Sequence, residues 1–363
     1  MNNLNIYKRK DGRFEGRVYL GKDNNGKRIF KSYYGKTESE VTAKYEAAIK
    51  SISPCQISVQ MTVKELTKEW LTVMSTRIRE STAANYCMKA RKHIIPSFGD
   101  KYISDLDARS IHDFISDKLK CGLSSRYVTD IIILLKGIFK YAQREYSVKN
   151  VFDGLIMPKN HKSEVRLLTE AEQETLKKHI ADDPNKTNIG IALCLYTGLR
   201  IGELCALMWK DIDLKKRVLT VSRTIQRIND SDENGTSKTK LVITEPKSES
   251  SKRTIPIPAC FISMLEKHKT NDNCYLLSGK NKPIEPRTMQ YRFAKLLKNV
   301  GLPSVHFHSL RHAFATSAIA LGFDVKTLSE LLGHSTIELT LNRYVHSSME
   351  RKRSCMDMLE WSA

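Results

Sequence analysis

Several features that define common protein classes are missing from this sequence. No run of eighteen or more apolar residues occurs in it, and the N-terminus lacks the apolar centre of a secretory signal peptide. No Walker phosphate-binding loop is present, so ATP hydrolysis is not predicted. The eight cysteines form no CxxC pair. They are predicted to be reduced, mostly buried thiols, which together with the missing signal and membrane segments predicts a cytosolic protein.

Negative charge is the minority sign along the whole chain. Its 363 residues include 60 Lys and Arg against 40 Asp and Glu, a formal net charge of +20. By segment, the excess is +6 in residues 1–50, +6 in residues 51–160 and +8 in residues 161–363. A balanced charged surface would not keep one sign throughout, and a basic tail on a neutral enzyme would concentrate the charge. The distribution therefore predicts a polyanionic partner.

The N-terminal segment has the pattern of a small β-sheet. Residues 13–20 and 27–34 alternate as strands do, on either side of an Asn-Gly step that is typical of a hairpin turn. Thr37 and Glu40 then have the spacing of a capping box, which predicts a following helix. The sheet and the helix together predict a first domain over residues 1–55.

Basic and aromatic side chains are interleaved in this segment, and its cations include Arg17, Lys27, Arg28 and Lys31. A basic β-ribbon can enter the major groove of DNA, so these four residues are candidate DNA contacts. An ordinary small sheet with solvent-facing lysines has the same composition. The residues alone leave both interpretations open.

The middle of the chain is predicted to be entirely helical. Residues 51–60 are uncharged and contain Pro and Ser, as a linker would, and a capping-box pair, Thr62 and Glu65, follows them. Apolar periodicity then predicts helices at residues 62–75, 81–94, 108–121 and 124–144. They predict a compact all-helical second domain over residues 60–155, which leads into a loop-like second linker.

A third domain, over residues 165–363, is predicted from the capping-box pair Thr169 and Glu172 onward. Helical periodicity dominates it apart from a strand-like island, which comprises residues 217–226, 240–244 and 253–257. The predicted fold class is therefore mainly α and multidomain (α+β). It combines a small N-terminal β-sheet with a helix, an all-helical domain, and a mostly helical domain with a small antiparallel sheet.

Four groups of polar residues in the third domain are candidate catalytic groups. In chain order these are Arg200 in TGLRIGEL, Lys247 in the polar turn EPKSESSK, His308 and Arg311 in HSLRH, and His334 in LLGHS with Tyr344 ten residues beyond. Two guanidiniums can clamp the non-bridging oxygens of a phosphodiester, and Lys or His can protonate a leaving group. A phenol, with an ordinary pKa of about 10, can be the nucleophile where adjacent guanidiniums favour its phenolate.

Each candidate has a simpler interpretation when it is taken alone. A single Arg or Lys is usually a surface charge, and a single Tyr near a C-terminus usually packs. His306, His308 and His312 could ligate a metal, but no Cys or acid at suitable spacing completes the set, so neither a metal nor another cofactor is predicted. The catalytic interpretation depends on the order and context of the four groups together.

In that order, the four groups resemble the motifs of the tyrosine recombinase (phage integrase) family. The N-terminal sheet and helix look like the arm-binding domain of integrases from temperate phages and conjugative transposons, and residues 60–155 look like the family's core-binding domain. The resemblance implies a site-specific DNA recombinase, an integrase that also excises. The partners it implies are double-stranded DNA at core and arm sites, further copies in a homotetramer, an excisionase and a DNA-bending protein, and no membrane.

The resemblance also implies a role for each cation. Arg200 and Arg311 would bind the scissile phosphate, and Glu203 would support Arg200. Lys247, in the turn between two paired strands, would be the general acid to the 5′-oxygen. Lys252 lies on the same predicted hairpin and is the alternative to it.

The remaining candidates would move protons and form the covalent intermediate. His308 would act in proton transfer and contact the phosphate. His334, where relatives often have Trp, would donate a hydrogen bond to the phosphate and help position Tyr344. Tyr344 would attack to give a 3′-phosphotyrosine and a free 5′-hydroxyl. Residues 349–361 would form a short helix that docks on a neighbouring protomer or on its own chain.

Three other functions share parts of this pattern. A chromosome-dimer resolving recombinase has the same chemistry but usually lacks an arm domain. A non-catalytic DNA-binding regulator would explain the net charge but not the ordered motifs. A type IB topoisomerase shares the chemistry but neither the arm-like segment nor the LLGH spacing. The resemblance to integrases places the expected protein in the bacterial cytosol, associated with the nucleoid.

Overall fold

The computed structural model describes residues 5–9, 11–22, 28–51, 61–159, 166–230, 239–246 and 249–344, together with residues 353, 356 and 357. Close contacts divide the chain into two compact units. One comprises residues 1–72 with 92–158, and the other comprises residues 73–91 with 159–363. The division into domains over residues 1–55, 60–155 and 165–363 stays a prediction.

The first unit begins with a three-stranded antiparallel sheet and one helix. The strands are β1 (Asn5–Lys8), β2 (Phe14–Lys22) and β3 (Arg28–Gly35), with β2 in the centre, and α1 (Glu38–Ser51) follows. The backbone N–H of Glu40 donates to Thr37 Oγ1 at 3.2 Å, so Thr37 caps the helix as predicted. Helix α1 covers one face of the sheet, where the rings of Tyr33 and Tyr45 meet edge to face. The predicted turn at residues 23–26 lies outside the described residues.

The helices of the middle segment confirm the four predicted ones, with one of them interrupted. They are α2 (Val63–Ser75), α3 (Glu80–Lys89), α4 (Ile95–Phe98), α5 (Ala108–Lys120) and α6 (Ser125–Tyr146). A π-helical segment, Ala90–Ile94, joins α3 to α4. Pro96 lies in α4, directly after the π-helical segment, so the chain stays helical through a residue that has no N–H to donate.

Apolar faces and one polar cluster hold the helical part of the first unit together. Helix α6 buries one side completely, including Ile131, Leu135 and Ile138. The Glu69 carboxylate accepts hydrogen bonds from the hydroxyls of Tyr141 at 2.5 Å and Tyr146 at 2.7 Å. This bond to Glu69 raises the pKa of Tyr141 to about 12. The bonded acid and the two tyrosines therefore tie α2 to the end of α6.

The second unit is mostly helical, as predicted. Its later helices are α7 (Glu170–Asp182), α8 (Lys186–Thr197), α9 (Ile201–Ala206), α10 (Ala259–His268), α11 (Pro286–Asn299), α12 (Ser309–Ala320), α13 (Val325–Leu332) and α14 (Ile337–Tyr344). Thr169 and Glu172 form the predicted capping box at the start of α7. A core of buried aliphatic and aromatic side chains joins α8, α9, α11 and α12, and Trp209 is among its largest members.

The strands of this unit differ from the prediction in how they pair. They are β4 (Ile212–Asp213), β5 (Val218–Val221), β6 (Thr224–Asn229), β7 (Thr239–Thr244) and β8 (Arg253–Pro256). Strands β4, β5 and β8 form one antiparallel sheet, whereas β6 and β7 form a separate antiparallel pair. The single strand predicted over residues 217–226 is thus two strands. The inward-facing positions keep the same alternation on both sides of the break, since the buried residues are Leu219, Val221 and Ile225. The alternation of the sequence therefore could not reveal the break.

The cysteines in the described part of the chain are less buried than predicted. Cys194 and Cys205 lie in the core, where burial raises the pKa of both thiols, that of Cys205 to about 12. Cys121 and Cys260 are exposed, so the prediction of mostly buried thiols is wrong for the six cysteines that the structure describes, of which two are buried. Cys121 is the C-cap residue of α5 and Cys260 lies in the first turn of α10, so both are at helix ends. Among the described residues, no helix combines the length and apolar content needed to cross a membrane.

Candidate active site

Arg200 lies at a break between two helices, as the sequence predicts. Helix α8 ends at Gly198, whose φ of +66° is a left-handed conformation that suits glycine, and Arg200 is the N-cap of α9. Its Nη1 lies 2.7 Å from Glu203 Oε1, and its backbone N–H donates to Glu203 Oε2 at 3.0 Å. One carboxylate therefore fixes both the helix start and the Arg200 side chain, about a third of which stays exposed.

Close contact with a strand explains the glycine in the same turn. A Cβ atom on Gly202 would lie 2.6 Å from Thr224 Oγ1 and 2.8 Å from the Ile225 carbonyl oxygen. Both distances are too short for a real carbon, so only glycine lets α9 approach β6 this closely. The close approach sets where Arg200 and Glu203 stand relative to the strand pair.

Glu203 is buried between two arginines. It is 4% exposed, and Arg253 donates to it twice, through Nη2 at 2.9 Å and Nη1 at 3.2 Å. Burial by itself raises the pKa of Glu203, but the positive charges of Arg253 and then Arg200 outweigh that effect and lower the pKa below its usual value. The carboxylate therefore stays ionised at neutral pH.

Arg311 is almost fully buried, in the first turn of α12. It is 2% exposed, and its guanidinium donates to the Gly198 carbonyl at 2.8 Å and to the Leu332 carbonyl at 2.7 Å. His308 directly precedes the same helix and is exposed, with its ring 4.9 Å from that of His312. His308 also shares a cleft with Leu199 and Ile201, the residues on either side of Arg200.

His334 follows the end of helix α13. Gly333 ends that helix with a φ of +64°, and its carbonyl accepts from Arg200 Nη2 at 3.0 Å. The His334 Nδ1 lies 2.7 Å from the hydroxyl of Thr340, a fully buried residue of α14. Tyr344 is the last residue of α14, and its side chain lies outside the described part of the structure.

The segment around Lys247 connects two sheets and is not a hairpin turn, because β7 pairs with β6 and β8 pairs with β5. Lys247 itself lies outside the described residues. Just before it, the carbonyls of Glu245 and Pro246 accept from the Arg79 guanidinium at 3.0 and 2.9 Å. The alternative, Lys252, forms an ion pair with Glu245 at 2.9 Å.

A cavity of about 470 Å³ opens beside these residues. Arg200, Glu203, Gly333 and His334 line it, and so does Arg79. The structure thus brings Arg200, Arg311 and His334 together at the end of α13. His308 lines a separate cleft and does not line the cavity. Within the described part of the chain, no group of three or more His, Cys, Asp or Glu residues has the arrangement to hold a metal ion.

The two predicted DNA contacts whose side chains the structure describes, Arg17 and Lys31, lie on opposite faces of the N-terminal sheet. Arg17 pairs across the strands with Ser32, on the face opposite α1, where its Nε donates to the buried Glu15 at 2.9 Å. Lys31 pairs with Val18, on the face that α1 covers, and lies over the Tyr33 ring. Lys27 and the side chain of Arg28 lie outside the described residues.

Two contributors to the site were missed from the sequence. Arg253 opens β8 in phase with the buried Ile255 and Ile257, so an arginine at an inward-facing position was the available signal. Arg79 gave no such signal, because an exposed cation at the N-cap of α3 is unremarkable in a basic chain.

The site and its fold define a class of protein. The Phage integrase family model matches residues 166–351, and a model for the N-terminal SAM-like domain of phage integrases matches residues 62–119. The chain belongs to the Phage integrase family. Members of this family are tyrosine recombinases, enzymes that transfer DNA strands in site-specific recombination.

Individual relatives are similar over most of the chain. The tyrosine recombinase XerC-like protein of Caldanaerobacter subterraneus subsp. tengcongensis is 32% identical, and the match covers 94% of each chain. A structure of the Tn1549 transposon integrase with circular intermediate DNA is 26% identical, with a TM-score of 0.67 over 82% of this chain and 99% of that one. A lambda integrase tetramer bound to a Holliday junction has the same fold, with 19% identity and a TM-score of 0.58 over 95% of this chain and 97% of that one.

Proposed function

We propose that this recombinase is an integrase that cuts and rejoins DNA through a 3′-phosphotyrosine on Tyr344. The observation that carries the proposal is the convergence of distant motifs on one helix end. Arg200 and Arg311 donate to the consecutive carbonyls of Gly333 and Leu332, and His334 follows directly. The two guanidiniums that would hold a phosphate are thereby fixed beside a histidine and one short helix away from the tyrosine.

Phosphate activation is assigned to the two arginines and His334. The guanidiniums of Arg200 and Arg311 would neutralise the non-bridging oxygens of the scissile phosphate, and His334 would donate a hydrogen bond to one of them. Because His334 Nδ1 lies 2.7 Å from the Thr340 hydroxyl, we assign the hydrogen bond to the phosphate to Nε2. This arrangement stabilises the charge that develops on the phosphorane.

Strand cleavage is an exchange of esters in this proposal. The Tyr344 oxygen forms a bond to phosphorus as the bond from phosphorus to the 5′-oxygen breaks. The phenolic proton passes to His308, and the 5′-oxygen takes a proton from Lys247, with Lys252 as the alternative donor. One phosphodiester replaces another, so the step does not consume ATP. Rejoining reverses it, with the 5′-hydroxyl of a partner strand as nucleophile.

DNA at two kinds of site is the proposed substrate. The segment over residues 60–155 would hold the core site, and the sheet of residues 1–55 would hold a distal arm site. Four protomers are needed for two rounds of paired strand exchange, and the lambda integrase of the same fold forms a tetramer on a Holliday junction. We include an excisionase and a DNA-bending protein as accessory partners, and the bacterial cytosol as the location.

A recombinase that resolves chromosome dimers is the second candidate, favoured by the identity to the XerC-like protein. That match also covers nearly the whole chain, so length does not separate the two roles. The N-terminal sheet with its exposed Arg17 favours the integrase, because an additional DNA-binding module serves arm sites.

A nicked suicide substrate that carries the core site tests the chemistry. The wild-type protein should form an SDS-resistant adduct whose protease-resistant linkage maps to Tyr344. Tyr344→Phe should bind the same DNA within about twofold of wild type and form no adduct, because only the nucleophilic oxygen is removed. An adduct on Tyr344→Phe, or one mapped to another residue, would contradict the assignment.

A further inference from the structure

Arg253 is a buried arginine that none of the site roles above uses. Its side chain is 6% exposed, and each of its three nitrogens has a protein acceptor. Nη1 and Nη2 donate to Glu203, and Nη1 also lies 3.2 Å from the Ser251 carbonyl oxygen. Nε donates to the Leu331 carbonyl at 2.6 Å. Its contacts therefore join it to one carboxylate and to the end of α13.

The contact with Leu331 completes a series at the end of α13. Three consecutive carbonyls, those of Leu331, Leu332 and Gly333, accept in turn from Arg253, Arg311 and Arg200. The last carbonyls of a helix have no partner within it and carry partial negative charge, so cations are favoured there. Three guanidiniums therefore hold the turn from which His334 extends.

The turn and the Arg253 side chain are also packed against each other. A Cβ atom on Gly333 would lie 3.0 Å from both Cδ and Nη1 of Arg253. The left-handed glycine and the arginine stem thus occupy adjoining space, and a shift of one changes the position of the other.

We propose that Arg253 is a positioning residue for strand cleavage, which acts by holding Glu203 against Arg200 and the end of α13 beneath His334. The inference rests on the proposed function, because it needs Arg200 and His334 at the scissile phosphate. It adds a residue that sets their geometry without touching the DNA. Misplacement of catalytic groups by about 1 Å can cost on the order of a hundredfold in rate.

The test compares Arg253→Lys with Arg227→Lys in single-turnover cleavage of the suicide substrate. Lysine keeps the charge but cannot bridge Glu203 and Leu331 at once. Arg227 is the matched control, since it also makes a two-point bond to a glutamate, Glu285, in the same unit, but on the surface. Arg253→Lys should cleave roughly 10- to 100-fold more slowly and bind DNA within about twofold of wild type, whereas Arg227→Lys should cleave at the wild-type rate.

A second arm separates positioning from general support of the fold. If Arg253 acts through Arg200 and through the turn before His334, then Arg253→Lys should slow cleavage less when Arg200→Lys or His334→Ala is already present than it does in the wild-type protein. An equal loss in all three backgrounds would overturn the proposal, and so would cleavage by Arg253→Lys at the rate of Arg227→Lys.

Folding of the variant is checked by thermal denaturation. Arg253→Gln, which keeps one amide donor, repeats the comparison if the lysine variant is unfolded. Failure of both variants to fold would mean that Arg253 serves the fold itself and would overturn a positioning role. If the wild-type protein forms no adduct on Tyr344, the proposed function itself is contradicted. Failure of the proposed function can therefore be told apart from failure of the Arg253 proposal.

Discussion

Replacement of the buried carboxylate Glu203 by its amide should destabilise the second unit strongly. Glu203→Gln keeps the shape of the side chain but removes the negative charge between Arg200 and Arg253. It also turns an amide N–H₂ toward a guanidinium, so at least one N–H of Arg253 loses its acceptor. Removal of one partner from a buried ion pair costs about 3–5 kcal/mol, and we expect about 3 because the amide oxygen still accepts one bond.

The size of that loss can be measured as a melting temperature. In a unit of about 200 residues, 1 kcal/mol corresponds to roughly 2–4 °C, so the transition of the second unit should fall by about 6–12 °C. Glu285→Gln is the control, since Glu285 receives a two-point bond from Arg227 but has a side chain that is 34% exposed. Solvent screens that pair, and its loss should cost less than about 1 kcal/mol.

Acid provides an independent check on the same carboxylate. The pKa of Glu203 is lower in the folded protein than its value of about 4.3 in an unfolded chain, so its ionised form stabilises the fold above that pH. As the pH falls through the folded pKa, the contribution is lost. The gap in melting temperature between wild type and Glu203→Gln should therefore narrow below about pH 4. If Glu203→Gln and Glu285→Gln lowered the melting temperature equally, the role given to burial would be refuted. The same would follow if the loss caused by Glu203→Gln did not change with pH.

Two further predictions concern the histidine and the N-terminal sheet. Thr340→Val removes the hydroxyl bonded to His334 Nδ1. It should slow cleavage about 2- to 12-fold, the equivalent of roughly 0.5–1.5 kcal/mol, and leave DNA affinity unchanged. An unchanged single-turnover rate would show that Thr340 does not orient the His334 ring. Arg17→Ala should weaken binding of arm-site DNA more than Lys31→Ala does, because only Arg17 lies on the face opposite α1. Equal losses in a salt-matched binding titration would contradict that choice of face.

The parts of the fold that the sequence predicts well are those specified locally. The capping boxes at Thr62 and Thr169 mark the starts of α2 and α7, because each box involves only residues within one turn. The motif residues Arg200, Arg311 and His334 were likewise found from short local patterns. Their convergence on one turn was not visible in periodicity, because it depends on bonds between residues far apart in the chain.

Other parts of the site depend on which strands pair, and alternation does not encode that. Residues 217–226 keep one phase through a break, so two sheets looked like one, and the segment of Lys247 looked like a hairpin turn. Arg253 was missed for a related reason. Its phase with Ile255 and Ile257 was visible in the sequence, but its bond to Glu203 of α9 joins residues far apart in the chain.

If the scissile phosphate binds where we propose, the charge balance at the end of α13 favours one state of that phosphate. Arg200, Arg253 and Arg311 bring three positive charges, and Glu203, which accepts from two of them, brings one negative charge. The C-terminus of α13 carries about half a negative charge, which offsets part of the remaining positive charge. The cluster therefore keeps an excess of well over one positive charge. A phosphodiester carries one negative charge, whereas a phosphorane formed by attack of a phenolate carries two. A fixed positive excess of this size attracts the doubly charged phosphorane more strongly than the singly charged phosphodiester. Stronger stabilisation of the transition state than of the bound substrate lowers the barrier, whereas equal stabilisation would only strengthen DNA binding.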